Sequence, residues 1–185
     1  MGSLSDIQQQ LVLGCVLGDG YLRKKTSTHL QITHSIIQKE YVDWKYQILK
    51  NLVNTPPTVY EGNAGRVGYR FFTRSLPELN PFYDRFYSNG KKVIDKNITL
   101  TPLTLAVWYM DDGSKSYKSC YFNSQGFDLT SQNCLINALN MLNIKARLNK
   151  DKIYSRIRVL TSSTPKLMNT IGPYIIKSMR YKIPV

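Results

Sequence analysis

In the first half of the chain, segments with apolar residues at helical spacing alternate with segments in which apolar and polar residues alternate as in strands. Ser5 and Asp6 are placed to cap a helix, and Asn89–Gly90 is a signal for the end of another. The elements predicted for this half are a helix to about Gly18, strands over about 20–24 and 29–35, a helix over about 36–53, strands over about 58–63 and 66–74, and a helix over about 77–87.

The second half repeats this order. Pro102 is placed at the start of a helix that ends in Asp111–Asp112–Gly113, and Asp151–Lys152 is predicted as a hairpin turn. The other predicted elements are strands over about 114–118 and 119–125, a helix over about 130–142, strands over about 144–150 and 153–160, and a helix over about 164–175. The repetition predicts an α+β fold of two αββαββα halves, residues 1–95 and 96–185.

The predicted strands carry apolar side chains on one face and cationic or amide side chains on the other. In the strand over 144–150, Ile144 and Leu148 alternate with Arg147 and Asn149, and the strands over 66–74 and 153–160 alternate in the same way. A merely solvated face usually mixes both signs of charge, whereas acids are scarce on these strands. Because a two-stranded ribbon fits the major groove of DNA, where Arg reads guanine, this face is predicted to bind DNA.

The overall charge supports the same interpretation. The chain has 25 Lys and Arg against 12 Asp and Glu, a net charge of +13 over 185 residues. An excess of this size favours a polyanionic partner, nucleic acid before an anionic membrane surface. No apolar run approaches the roughly 18 residues needed to span a bilayer, so no membrane-spanning segment is predicted.

The cysteines and histidines offer little for a soft-metal site. Cys15, Cys120 and Cys134 have no metal-site spacing and are predicted to be reduced, buried thiols. The two histidines, His29 and His34, are too few for a histidine-rich metal site. His34 shares strand parity with apolar residues and is interpreted as a core or edge residue rather than a catalytic one.

Two apolar helices end in the same way. Residues 12–20 read VLGCVLGDG and residues 105–113 read LAVWYMDDG, which places Asp19 and Asp112 about half a chain apart. An aspartate at a helix C-terminus faces partial negative charge and is stabilised by an opposing cation. A single Asp-Gly pair would indicate only a turn. The matched pair instead predicts two carboxylates that meet at a pseudo-twofold axis and hold divalent metal, Mg²⁺ or Mn²⁺.

A lysine followed by a β-branched residue comes after the last helix of each half, at Lys92 and Lys182. A lysine near a metal site can stabilise phosphate charge or perturb the attacking water. The alternative is a basic tail on a basic protein. The repetition favours Lys92 and Lys182 as catalytic residues.

With these features the chain resembles the LAGLIDADG homing endonucleases, in the monomeric branch that carries two motifs in one polypeptide. The resemblance rests on the two segments that end in Asp-Gly, on the αββαββα order and on the two trailing lysines, and it covers nearly the whole chain. It implies motif helices packed at the centre, antiparallel sheets that form a saddle over DNA, and metal-dependent double-strand cleavage of a long duplex target.

The resemblance also implies roles for individual residues. Asp19 and Asp112 would be the metal ligands, with the backbone of Gly18 and of Asp111 beside them, because Asp112 rather than Asp111 directly precedes the glycine. Lys92 and Lys182 match basic active-site positions. The predicted DNA contacts, several of them chosen by strand parity, are Tyr21, Arg23, Gln31, Thr33, Arg66, Arg70, Arg74, Asn123, Gln125, Lys145, Arg147, Arg156 and Arg158.

Two other functions stay open from the sequence. An RNA maturase that assists intron splicing needs the basic surface but not both acids. The other alternative is a DNA-binding protein of the same fold that has lost cleavage, and the presence of both acids argues against it. The predicted partners are therefore double-stranded DNA and, as the alternative, intron RNA, bound by a monomer. Richness in Asn, Lys, Ile and Tyr favours an AT-rich genome, so an intracellular protein of a mitochondrion or chloroplast is predicted over one of the prokaryotic cytoplasm.

Overall fold

The computed structural model describes residues 3–151 and 153–184 and separates the chain into two compact units, Met1–Tyr83 and Asp84–Val185. Residues 84–95, which are predicted to belong to the first half, fall in the second unit. The division of the repeat after residue 95 stays a prediction. Among the described residues, no helix combines the length and the apolar character that crossing a bilayer requires.

The first unit is built on a four-stranded antiparallel sheet with strand order β1-β2-β4-β3. Its first helix begins at Ser5, whose hydroxyl accepts from the Gln8 N–H while the Gln8 side chain accepts from the Ser5 N–H, so the predicted cap is confirmed. The elements are α1 (Asp6–Leu17), β1 (Tyr21–Lys24), β2 (Thr28–Ser35), α2 (Lys39–Leu49), β3 (Thr58–Glu61), β4 (Val67–Phe72) and α3 (Asn80–Phe86), of which the last continues into the second unit.

The second unit has the same kind of sheet, with order β7-β8-β10-β9. Two of its helices are capped by side chains, α4 by Thr101 and α5 by Asp128. The elements are β5 (Tyr87–Ser88), β6 (Lys91–Lys92), α4 (Pro102–Asp112), β7 (Gly113–Ser116), β8 (Ser119–Phe122), α5 (Leu129–Met141), β9 (Ala146–Asp151), β10 (Tyr154–Val159) and α6 (Thr164–Ile171). Lys152, predicted in the turn between β9 and β10, lies outside the described residues.

One local prediction is wrong. Asn89–Gly90 does not end a helix, because α3 already ends at Phe86. The pair instead forms the two-residue turn between β5 and β6, with φ of 49° at Asn89 and 74° at Gly90. A tight hairpin of this kind needs positive φ at both central residues, which Asn-Gly supplies best. Asn-Gly serves helix ends and hairpins alike, so its local signal does not decide between them.

The strand alternation is confirmed in both sheets. In β2, Leu30 and Ile32 are fully buried, and in β10, Ile157 and Val159 are fully buried, whereas the arginines of β10 lie half-exposed on the other face. Each sheet therefore buries one face against helices and leaves a polar face. Cys15 and Cys120 are buried and Cys134 is half-buried, and none of them forms a disulfide within the described part of the chain.

Candidate active site and nucleic-acid interface

Both Asp-Gly pairs have a glycine because no side chain fits there. A Cβ on Gly20 would lie 2.7 Å from both the Cβ and the carbonyl oxygen of Cys15, and a Cβ on Gly113 would collide with the carbonyl and ring of Tyr109. Neither glycine has positive φ, and Gly113, at φ −69° and ψ 144°, begins β7 directly. Neither glycine is therefore needed for a positive φ, and the close contacts with the preceding helix account for both of them. The strand β7 starts directly after Asp112, whereas Asp19 lies between the end of α1 at Leu17 and the start of β1 at Tyr21.

Asp19 lies at the C-terminal end of α1 with an accessible carboxylate. The N–H of Gly18 donates to the carbonyls of Gly14 and Cys15 at 3.1 Å each, and the N–H of Gly20 donates to Cys15 at 2.8 Å, so the backbone around Asp19 is held by the helix. The Asp19 side chain is 47% exposed. It borders a cleft of about 850 Å³ in the first unit that Tyr60, Arg66 and His34 also line.

A buried histidine and a buried lysine lie behind this carboxylate. His34 Nδ1 is 3.6 Å from an Asp19 oxygen, and His34 Nε2 is 3.1 Å from Lys45 Nζ. His34 is buried, as its interpretation as a core residue required, but that interpretation missed its place beside Asp19. A signal was present in the sequence, since Lys45 interrupts the apolar stripe of α2 that Tyr41 and Leu49 belong to.

In the second unit, Lys182 docks onto the end of α4. Its ammonium donates to the carbonyl oxygens of Met110 at 2.5 Å and Asp111 at 2.6 Å, and its own carbonyl accepts from the Tyr109 hydroxyl at 2.8 Å. Burial, and after it the neighbouring Cys120, raise the pKa of the Tyr109 phenol, which therefore keeps its proton and donates. The last carbonyls of a helix carry partial negative charge, so a cation is stabilising there. Lys182 is therefore not part of an unattached basic tail, because its ammonium is bound to the end of α4.

The remaining residues predicted around the metal lie at defined places. Asp112 is half-buried at the end of α4, and its carbonyl accepts from the Asn123 N–H at 2.9 Å. Asp111 is buried, and its carbonyl already accepts from Lys182, so metal ligation by this oxygen would use its second lone pair. Lys92 is half-buried in β6, where it pairs with Tyr87. The roles of these residues stay predictions.

The donor chemistry fits a hard divalent cation. Asp19 and Asp112 each offer carboxylate oxygens at the C-terminal end of a helix, where the backbone carbonyls add partial negative charge. Oxygen ligands of this kind suit Mg²⁺ and Mn²⁺ better than soft metals. The residues present are therefore compatible with the predicted cofactor.

On the first sheet, the face opposite the core collects most of the predicted DNA contacts. Tyr21 lies opposite Gln31 and Thr33 opposite Arg70, while the Gln31 amide donates to the Thr33 hydroxyl at 3.2 Å. The Arg70 guanidinium lies 4.2 Å from the centroid of the Tyr60 ring. Two predicted residues lie elsewhere, since Arg66 precedes β4 and Arg74 follows it. The Arg74 guanidinium donates to the Asn51 carbonyl, next to α2.

On the second sheet, two arginines of β10 are held in place by neighbours. The Arg156 guanidinium lies 4.3 Å from the Tyr121 ring centroid and donates to the Asn123 amide oxygen at 3.3 Å. Arg158 lies opposite both Tyr121 and Arg147, and it donates to the Ser119 hydroxyl at 3.1 Å. Fixed guanidinium groups lose less conformational entropy when they bind a base or phosphate. Lys145 lies just before β9, and Gln125 lies beyond the end of β8.

A family model described as the LAGLIDADG DNA endonuclease family matches residues 9–167 of the chain. The chain therefore belongs to this family. The fold agrees with this membership, since each unit places its Asp-Gly helix directly before the first strand of a four-stranded antiparallel sheet.

Known proteins similar to this chain include both endonucleases and a maturase. The probable intron-encoded endonuclease 1 of Wickerhamomyces canadensis is 32% identical over 200 residues, which cover 98% of this chain and 85% of the relative. The cytochrome b mRNA maturase bI2 of Debaryomyces hansenii is 30% identical over 189 residues, which cover 94% of this chain and 72% of the relative. The predicted family and its intron-encoded character thus agree with the relatives.

Solved structures agree with the fold. The structure of the homing endonuclease I-WcaI bound to its DNA recognition sequence matches with a TM-score of 0.90 and 28% identity, over 99% of this chain and 88% of that one. I-DmoI in complex with DNA and Mn is more distant, with a TM-score of 0.60 and 15% identity over 92% of this chain and 98% of that one. The predicted α+β fold of this family is confirmed.

Proposed function

We propose that this chain is a site-specific homing endonuclease that makes a double-strand break in a long DNA target with the help of a divalent cation, Mg²⁺ or Mn²⁺. The observation that carries the proposal is the duplicated helix end. Asp19 and Asp112 each close an apolar helix, and each is followed by a glycine that has no room for a side chain. Both carboxylates of the family motif are therefore present, each next to a glycine whose neighbours leave no room for a side chain.

The chain's own groups suit phosphodiester cleavage. Asp19 and Asp112 would hold the cation, which when bound supplies an activated water and charge stabilisation of the leaving oxygen. The Lys182 ammonium is held within one residue of Asp112, where it places positive charge near a phosphate under attack. Lys92 is the corresponding lysine of the first half of the repeat.

Duplex binding would rest on the polar sheet faces. The excess of 25 cationic over 12 anionic side chains supplies salt-sensitive attraction to phosphate. Arg156 and Arg158, held by Tyr121 and by hydrogen bonds, are arranged to read base edges in the major groove. Arg70, placed over Tyr60, has the same arrangement on the first sheet.

A second function, assistance of intron splicing, is favoured by one observation, the relative described as a cytochrome b mRNA maturase at 30% identity. The yeast relatives also support a mitochondrial location for this protein, since cytochrome b is encoded in that organelle in yeasts. The retention of both acids argues against loss of cleavage.

A cleavage selection on a randomised duplex library tests the proposal. We expect that the purified protein with Mg²⁺ or Mn²⁺ releases a set of related sequences, that EDTA abolishes this, and that both strands are cut. Binding to duplex without cutting in any divalent cation would contradict the proposal and indicate a cleavage-dead binder. Stimulation of intron RNA splicing without duplex cutting would contradict it in favour of the maturase.

A further inference from the structure

Lys45 is a lysine of α2 that is fully buried, which is unusual for an ammonium group. Its Nζ lies 3.1 Å from His34 Nε2 and 4.2 Å from the centroid of the Tyr41 ring. The His34 ring lies 5.2 Å from the same tyrosine ring. Burying a cation is costly unless hydrogen bonds and aromatic faces compensate it. The contact with His34 therefore offsets part of the free-energy cost of burying the Lys45 ammonium.

The chemistry of this contact determines where the imidazole carries its proton. We take Lys45 as an ammonium, which has three donors and no acceptor, so that His34 Nε2 is the acceptor in this contact. A doubly protonated imidazole would place two cations in contact in a buried site. The neutral ring therefore carries its proton on Nδ1, because the hydrogen bond at one ring nitrogen sets the tautomer at the other.

This tautomer directs an N–H toward Asp19. Nδ1 is the nitrogen that faces the Asp19 carboxylate, at 3.6 Å from Oδ2. The distance is slightly longer than a hydrogen bond, and the carboxylate is 47% exposed, which leaves it room to rotate toward the ring. The opposite tautomer would point a lone pair at the carboxylate and repel it.

We propose that Lys45 is a positioning residue that acts through His34: it holds the imidazole Nδ1–H toward Asp19 and so orients the carboxylate predicted to bind metal. The consequence for cleavage rests on the proposed function, whereas the tautomer does not. The chain has two histidines, His29 and His34, and both belong to the first unit. Within the second unit, the helix end that carries Asp112 is contacted by Lys182.

Nitrogen-15 NMR of the histidine rings in the metal-free wild-type protein tests the tautomer directly. We expect a protonated Nδ1 and an unprotonated Nε2 for His34, with the His29 signal assigned by its loss in His29→Gln. In Lys45→Met the ring should shift toward the Nε2–H tautomer that free imidazoles favour. Lys39→Met, which removes an exposed lysine of the same helix, should leave the ring unchanged. A wild-type ring protonated at Nε2, as a metal-ligating Nδ1 or an imidazolium would require, overturns the proposal.

Cleavage of the selected duplex tests the consequence. Lys45→Met should cut about tenfold more slowly or worse while it still binds the duplex, a loss typical for groups that orient a metal ligand. His34→Gln should retain most of the activity, because its amide can accept from Lys45 and donate to Asp19, and His34→Leu should lose it. Equal cleavage by the Gln and Leu variants overturns the proposal even if Lys45→Met does not fold. If the wild type cuts no DNA, the proposed function fails and the NMR result alone decides this proposal.

Discussion

The ammonium of Lys182 donates to the carbonyl oxygen of Asp111 at 2.6 Å, which places this lysine at the C-terminal end of α4, next to Asp112. The two residues are about 70 positions apart along the chain, and only the folded second unit brings them together. The positive charge thus lies at the negative end of the helix that carries the predicted metal ligand.

Replacement of this lysine should affect cutting more than binding. In Lys182→Met we expect a fall of about 100-fold in the cleavage rate, the usual loss when one charge-stabilising donor is removed from an active site. Binding of the target duplex should weaken only slightly, because one charge among many is lost. Lys166→Met, an exposed lysine of α6, removes the same charge away from the site and is the control. Equal cutting by the two variants would exclude an active-site role for Lys182.

Substitution of the two motif glycines should destabilise the fold. A methyl group at position 20 would overlap Cys15, and one at position 113 would overlap Tyr109. Overpacking of this kind costs about 1–3 kcal/mol, so Gly20→Ala and Gly113→Ala should each unfold at lower urea concentration. Gly126→Ala is the matched control, since a Cβ there meets nothing within 4 Å. If Gly20→Ala and Gly113→Ala were both as stable as the wild type, this would contradict the close contacts of these glycines with Cys15 and Tyr109.

The cap of α5 gives a pH dependence of stability. The Asp128 carboxylate accepts from the Ser131 N–H at 2.7 Å, and this hydrogen bond lowers the pKa of Asp128. Since the folded pKa lies below the unfolded value of about 3.9, the stabilisation is complete above that value and is lost as pH falls through the folded pKa.

Two variants separate the cap from its charge. Asp128→Ala should cost about 1 kcal/mol of unfolding free energy at neutral pH. Asp128→Asn caps without titrating, so its stability should fall less steeply than the wild type's as the pH is lowered below about 4. Urea unfolding across that range measures both effects, and parallel curves for the Asn variant and the wild type would show that the carboxylate is not the cap.

The basic sheet faces should make duplex binding sensitive to salt. A protein that contacts six or more phosphates loses about 10³-fold in affinity between about 50 and about 200 mM salt, and we expect a loss of this order on random-sequence duplex. Arg147→Gln on the exposed face of β9 should reduce the slope of log affinity against log salt by about 1 if it contacts a phosphate. Arg85→Gln, which breaks an exposed ion pair with Asp95 instead, should leave the slope unchanged. If both variants had the same slope of log affinity against log salt, Arg147 would not contact a phosphate of the duplex.

Local patterns in the sequence predicted most of the fold. Alternation in β2 and β10, the capping residue Ser5 and the helix start at Pro102 lie within a few positions of the elements they define, so the sequence displays them directly. The hairpin turn at Asn89–Gly90 was not predicted, because an Asn-Gly pair occurs both at the C-terminal ends of helices and in two-residue hairpin turns.

The candidate site was predictable only in part. Asp19 and Asp112 stood out because the Asp-Gly helix end is duplicated. The contact between His34 and Lys45 was not predictable in this way. It joins a side chain of β2 to one of α2, and only the packing of the helix on the sheet brings the two together. The apolar stripe of α2 did mark Lys45 as unusual, since a lysine at such a position needs a buried partner.

We propose that Asp19 and Asp112 together carry out metal-dependent cleavage. The most direct test compares wild type, Asp19→Asn and Asp112→Asn on the selected duplex in Mg²⁺, with cleavage and binding measured on the same DNA. We expect both variants to bind within a few-fold of the wild type and to leave the duplex uncut on at least one strand, because an amide is a poor ligand for a divalent cation compared with a carboxylate. Double-strand cutting at the wild-type rate by either variant would contradict the account.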